Sequence, residues 1–134
     1  RGFVEASIAG AKIGADLLYL NTAFAGPQLA DVLEREAPTL VVHDEEFTDL
    51  LAGKDDGEHI LAWTDSDDPG GPTLEAMIAD GSTGDHQAPA KPSRVIILTS
   101  GTTGTPNSSL NLAASISWPL ARATSIIFNA STVG

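Results

Sequence analysis

The chain has 134 residues and carries 18 Asp and Glu against seven Lys and Arg, which gives a net charge of −11. This charge argues against a nucleic-acid partner, because nucleic-acid-binding proteins need a clustered basic surface, and the length excludes two full domains. The absence of Cys excludes disulfides and thiolate zinc sites, and the sequence lacks an apolar run long enough for a transmembrane segment, so we expect a soluble cytoplasmic protein.

Helices and strands are predicted to alternate from the N-terminus. Apolar residues recur at three-and-four spacing, which predicts a helix with one stripe against a core: Val4, Ile8, Ala11, Ala15 and Leu18. Residues 17–20 then predict a short strand, because Gly14 precedes them and Asn21-Thr22 follows them. Residues 26–36 predict a second helix, with Pro27 in its first turn and Pro38 as a stop signal.

The middle of the chain continues the alternation. We predict a strand at 40–42, a short helix at 45–51, a strand at 60–63, a loop at 65–72, a helical turn or two at 74–79 and a linker at 81–93. Residues 94–98 predict the clearest buried strand, which runs directly into a loop rich in Gly, Ser and Thr. This order predicts an α/β layered fold, a mostly parallel sheet with flanking helices.

The composition changes sharply after Pro106. All 18 Asp and Glu lie before residue 86, and residues 107–134 contain one charged residue, Arg122. We therefore interpret residues 1–106 as one unit and residues 107–134 as a divergent, low-charge tail.

The loop after the last predicted strand is the candidate site. It consists of Thr99, Ser100, Gly101, Thr102, Thr103, Gly104 and Thr105. Glycines allow backbone N–H groups to approach phosphate oxygens closely, and the hydroxyl groups can donate further hydrogen bonds. Polyphosphate is the ligand that suits these groups, although the Gly-Lys-Ser/Thr ending of a Walker A loop is missing. On composition alone, an ordinary Gly/Ser/Thr-rich surface turn remains the alternative.

Residues 98–106 read Leu-Thr-Ser-Gly-Thr-Thr-Gly-Thr-Pro. This stretch resembles the signature loop of the adenylate-forming (AMP-binding) enzymes, which include the AMP-forming acyl-CoA synthetases. Upstream, Gly14-Ala15, Leu20-Asn21-Thr22 and Gln28-Leu29 are also similar to this family, and residues 20–38 are most similar to bacterial fatty-acyl-CoA synthetases. The resemblance covers residues 1–106 and implies part of the large N-terminal domain of such an enzyme.

The resemblance implies a ligase of fatty acid metabolism. In this family a carboxylate attacks the α-phosphate of ATP, pyrophosphate leaves, and the thiol of CoA then displaces AMP from the acyl-adenylate. ATP, Mg²⁺ and CoA are the implied cofactors, and a fatty or other carboxylic acid is the implied substrate. Residues 99–105 would bind the β- and γ-phosphates; none of them is a nucleophile, so we assign neither a catalytic residue nor a metal ligand.

The departures from the family pattern begin inside the signature. Asn107-Ser108 stand where the family has Lys-Gly, and a charge-assisted hydrogen bond to phosphate is worth about 1.5 to 3 kcal/mol. Nothing after residue 106 matches the family, so we expect a fragment, cut at both ends, that is inactive alone. We hypothesise a shifted or prematurely ended reading frame at codon 107. The alternatives are a non-catalytic remnant that binds nucleotide weakly and a structural fragment that self-associates through exposed sheet edges.

Weaker signals receive no site assignment. His43 and the acids at 44–46 could in principle hold a divalent metal, but we interpret the acids as favourable charges at a helix start. The acids at 65–70 are interpreted as a solvated loop rather than a calcium site. His59 and His86 are interpreted as surface residues. The isolated aromatics are interpreted as core packing: Tyr19, Trp63 and Trp118.

Overall fold

The computed structural model describes residues 1–20, 26–84, 87–100, 106–107 and 124–128. The helices are α1 (Gly2–Lys12), α2 (Gly26–Glu36), α3 (Thr48–Leu51) and α4 (Leu74–Asp80). The strands are β1 (Asp16–Leu20), β2 (Leu40–Asp44), β3 (Glu58–Trp63), β4 (Val95–Ile97), β5 (Thr99–Ser100), β6 (Pro106–Asn107) and β7 (Thr124–Phe128). A 3-10 turn at Glu45–Phe47 precedes α3, so the short helix predicted there begins as a tighter turn.

The main sheet has five strands in the order β3-β2-β7-β1-β4, and every neighbouring pair is parallel. The α/β prediction with a parallel sheet is therefore confirmed at the level of fold class. Strands β5 and β6 form a separate two-stranded antiparallel pair just after β4.

Strand β7 comes from the low-charge tail and lies in the middle of the sheet. On one side it pairs with β1 along its whole length, from Asp16 opposite Thr124 to Leu20 opposite Phe128. On the other side it pairs with β2, with Val41 opposite Ile126. The sheet thus includes chain from both sides of residue 107, although the composition changes there.

One face of the sheet packs against α2 and α3. Its buried residues are Leu18, Leu20, Leu29, Val32, Leu33, Val41, Leu51 and Leu98. The inner stripe predicted for α2 is confirmed, because Leu29, Val32 and Leu33 are all at most 1% exposed. Burial of each such side chain stabilises the fold by about 1.5 to 3 kcal/mol relative to an exposed one.

The other face packs against α1 through small residues, and the stripe predicted for this helix is wrong. Val4 and Ile8 are 55% and 56% exposed, whereas Ala6 and Gly10 are buried. A Cβ on Gly10 would come within 2.6 Å of the Cδ2 atom of Leu17, so glycine lets the helix approach β1 closely. Close backbone approach therefore decided which face of α1 lies on the sheet.

Edge positions account for two further corrections. Strand β4, predicted to be fully buried, lies at the sheet edge and buries one face: Ile96 packs against the core, while Val95 and Ile97 are 51% and 55% exposed. Trp63 is at the end of edge strand β3 and is 64% exposed, so its assignment to the core is wrong. Tyr19 does pack, with its ring 5.1 Å from that of Phe3. Trp118 and His86 lie outside the described residues.

Candidate phosphate-binding loop and buried polar clusters

The candidate loop begins where β4 ends. Leu98 is buried in the core, and the chain then enters β5 at the carboxyl end of a parallel strand, the edge where α/β sheets commonly hold ligands. Thr99 lies opposite Asn107 and Ser100 opposite Pro106 in the β5–β6 pair. The two ends of the motif are therefore joined. Residues 101–105, which connect them, lie outside the described residues.

The pairing gives Asn107 a definite position at the base of the loop. Residues directly opposite each other in an antiparallel pair have Cα atoms about 4.5 to 5.5 Å apart. Asn107, where the family pattern has Lys, is thus one strand spacing from Thr99. A long cationic side chain at this position would start beside the first residue of the loop.

Among the described residues, the last two basic residues before the loop are Lys91 and Arg94, which precede the amino end of β4. Arg94 Nε donates to Asp16 Oδ1 at 3.1 Å, and Arg94 Nη2 pairs with the second oxygen of the same carboxylate. Lys91 Nζ lies 4.0 Å from Asp16 Oδ2. These two cations are therefore paired with Asp16 at the amino end of the strand.

Asp16 and Arg94 fasten the segment before β4 to β1. The carboxylate side chain is 2% exposed, and its hydrogen bond with Arg94 lowers the pKa of Asp16 against the opposing effect of burial. The Leu17 N–H donates to the Arg94 carbonyl at 2.7 Å, and Ser93 Oγ donates to the Ala15 carbonyl. Because the two residues are 78 positions apart, sequence reasoning missed this pair.

Arg94→Ala is expected to lower the free energy of unfolding by about 2 kcal/mol. Breaking a buried ion pair costs about 3 to 5 kcal/mol when the remaining charge is left buried, and we reduce this figure because the Arg94 side chain is 45% exposed. The depressed pKa means that the pair stabilises the fold above the ordinary Asp pKa of about 3.9 and that this contribution is lost as pH falls further.

Urea denaturation at neutral pH measures this effect. Arg1→Ala is the matched control, because Arg1 Nε also bonds a carboxylate, that of Glu5 at 2.9 Å, but the Arg1 side chain is 70% exposed. We expect no measurable change in the control. Equal effects of the two substitutions would contradict a special role for the Asp16–Arg94 pair.

A second polar cluster connects β2, β3 and the loop between α3 and β3. His43 is 1% exposed, and its Nε2 lies 3.1 Å from Nδ1 of His59. His59 Nε2 lies 3.1 Å from Asp55 Oδ1, which also accepts the Gly57 N–H at 2.9 Å. The interpretation of His59 as a surface residue is therefore wrong: its side chain is 33% exposed and is bonded at both ring nitrogens.

Asp44, Glu45 and Glu46 lie at the start of the 3-10 turn, as the sequence indicated, but Asp44 makes no side-chain cap. Burial lowers the pKa of His43 and raises that of Asp44. Glu45 Oε2 accepts a hydrogen bond from Thr64 Oγ1 at 2.6 Å, so this acid joins the turn to the end of β3. Over the described part of the chain, no three His, Asp or Glu side chains are arranged to hold a metal ion.

Comparison of the chain with protein-family models, curated proteins and solved structures gave no match. Within the described ranges, none of the helices combines the length and apolar character needed to cross a membrane.

Proposed function

We propose that the chain is part of an ATP-dependent acyl-CoA synthetase of the adenylate-forming type, in which residues 99–105 bind the β- and γ-phosphates of ATP. One observation carries this proposal: the signature-like motif directly follows a parallel strand, and the β5–β6 pairing joins its two ends. The carboxyl edge of a parallel sheet is where α/β folds commonly bind ligands, and successive backbone N–H groups in a turn can bind an anion.

The chemistry of the loop suits polyphosphate. Its hydroxyl groups and glycine N–H groups are hydrogen-bond donors that neutralise charge on the departing pyrophosphate without reacting covalently. On this proposal, ATP accompanied by Mg²⁺ activates a fatty or other carboxylic acid, CoA accepts the acyl group, and the reaction takes place in the cytoplasm. The chain contributes the phosphate contacts, and we expect it to be inactive alone, because nothing after residue 106 resembles the family pattern.

The second candidate function is a remnant that binds nucleotide without catalysis. Asn107 at the base of the loop favours this second candidate, because it supplies no positive charge. The last described basic residues before the loop, Lys91 and Arg94, are paired with Asp16. A phosphate-binding loop that lacks the cationic side chain keeps its neutral hydrogen bonds to phosphate. It loses the charge-assisted hydrogen bond, which is about twice as strong as a neutral one.

Asn107→Lys is expected to tighten ATP binding about 10- to 100-fold. The reason is the gain of a charge-assisted hydrogen bond of about 1.5 to 3 kcal/mol beside Thr99. Isothermal calorimetry with MgATP gives the dissociation constant of each variant. Gln87→Lys is the matched control, because it adds the same charge at an exposed position ahead of β4.

The outcomes test the loop assignment that the two candidates share and the expected inactivity of the chain. The loop assignment is supported in both candidates if the unchanged chain binds ATP weakly, the Asn107→Lys variant binds it more tightly and the Gln87→Lys variant does not. Acyl-adenylate formation by the unchanged chain would overturn its expected inactivity, and absence of ATP binding in all three proteins would overturn the loop assignment itself.

A further inference from the structure

The hydrogen bonds around His43 and His59 require a definite number of protons. His43 Nδ1 lies 3.0 Å from the backbone carbonyl oxygen of Asp44, and a carbonyl only accepts, so Nδ1 carries a proton. One proton must lie between His43 Nε2 and His59 Nδ1, and another between His59 Nε2 and Asp55 Oδ1. The complete set of contacts therefore needs three protons.

Two neutral imidazoles supply two of these protons, and an ionised carboxylate supplies none. We place the third proton on an imidazole, because this makes the His59–Asp55 contact a charge-assisted hydrogen bond, which is about twice as strong as a neutral one. His43 is the more deeply buried of the two and is kept neutral by desolvation, which lowers its pKa. His59, bonded to the Asp55 carboxylate, is the residue that carries two protons.

We propose that Asp55, His59 and His43 form a pH-sensitive clamp, which holds edge strand β3 and the loop before it on β2 while one extra proton is bound. When the proton is lost, one of the three contacts is left with two acceptors facing each other, so that hydrogen bond is released. The clamp rests on hydrogen-bond geometry and is independent of the proposed phosphate-binding loop.

Among the residues that the structure describes, few other ionisable groups lie near the clamp. The groups that act electrostatically on His43 are His59, Asp44 and Asp55. From the adjoining loop and β3 come Lys54, which is half-buried, and the exposed Asp56 and Glu58. The helices over this face present the apolar side chains of Leu33 and Leu51. Glu34 of α2 lines the same cavity as Lys54, Asp55 and Asp56. The charged residues of α2 and α3 are otherwise exposed, except for Glu36, whose side chain is 9% exposed and pairs with Arg35.

Long-range ¹H–¹⁵N spectra of the unaltered chain test the proton count directly. At pH 6.5 we expect His59 with protons on both ring nitrogens and His43 as the neutral form protonated at Nδ1. Two neutral rings or two doubly protonated rings at this pH would overturn the clamp. The measurement needs no substitution, so it does not depend on a variant that folds.

Hydrogen exchange of the Gly57 amide tests the mechanical consequence. This N–H donates to Asp55 Oδ1 in the loop that the clamp holds. We expect its protection factor to fall about tenfold between pH 6.5 and 9, because losing the His59–Asp55 contact lowers the free energy of opening this loop by about one hydrogen bond. The Ser66 amide, which donates to Thr64 Oγ1 at 3.0 Å without a His partner, is the internal control and should keep its protection. In His59→Gln the fall at Gly57 should disappear; a fall that persists, or one shared by Ser66, would contradict the clamp.

Discussion

A chain that ends at Ala123 is expected to lose cooperative folding. This truncation removes β7, which pairs with β1 on one side and with β2 on the other. Without it, the five-stranded sheet separates into the two-stranded pairs β2–β3 and β1–β4. Two-stranded pairs are at best marginally stable in water, so neither half is expected to hold its helices in place.

Urea denaturation followed by circular dichroism measures this effect. The control is a chain that ends at Phe128, which retains every residue of β7 and should unfold in a single transition. A cooperative transition of unchanged midpoint in the shorter chain would show that β7 is dispensable and would contradict the central position of this strand.

Leu18→Ala is expected to lower the free energy of unfolding by about 3 to 5 kcal/mol. Leu18 is fully buried in β1, in the core cluster that also contains Leu29 of α2 and Leu51 of α3. Truncation of its side chain removes apolar contacts within this cluster and leaves a cavity that the packed core cannot close by small shifts. For a domain of this size, such a loss is a large part of the total stability.

Ile97→Ala is the matched control for Leu18→Ala. Ile97 lies on the neighbouring strand, loses a similar volume on truncation and is 55% exposed. We expect a change of less than about 1 kcal/mol in the control. Equal losses in the two variants would contradict the assignment of the core to the face that carries Leu18.

The residues that could be predicted from the sequence are those whose role depends on near neighbours. Helix α2 was predicted over its full observed range, because Pro27 and Pro38 mark its ends and the apolar stripe between them is regular. The parallel sheet followed from the alternation of helices and strands, and the position of the candidate loop followed from its strand.

The polar clusters could not be predicted, because their partners are distant in sequence or are brought together only by strand register. Asp16 and Arg94 meet because β1 and β4 are parallel neighbours, with Leu17 opposite Val95. His43 and His59 meet because β2 pairs with β3. Isolated Asp, Arg and His residues carry no local signal of these contacts.

The sequence by itself determined the alternating elements, the apolar face of α2 and the loop of residues 99–107 with Asn in place of the expected Lys. Local spacing, turn residues and side-chain chemistry suffice for these features. The tertiary structure decided that β7 fills the middle of the sheet, that α1 approaches it through Gly10, and that Asn107 lies opposite Thr99. These depend on which backbones pair and how closely they pack, and no local pattern of residues encodes that choice.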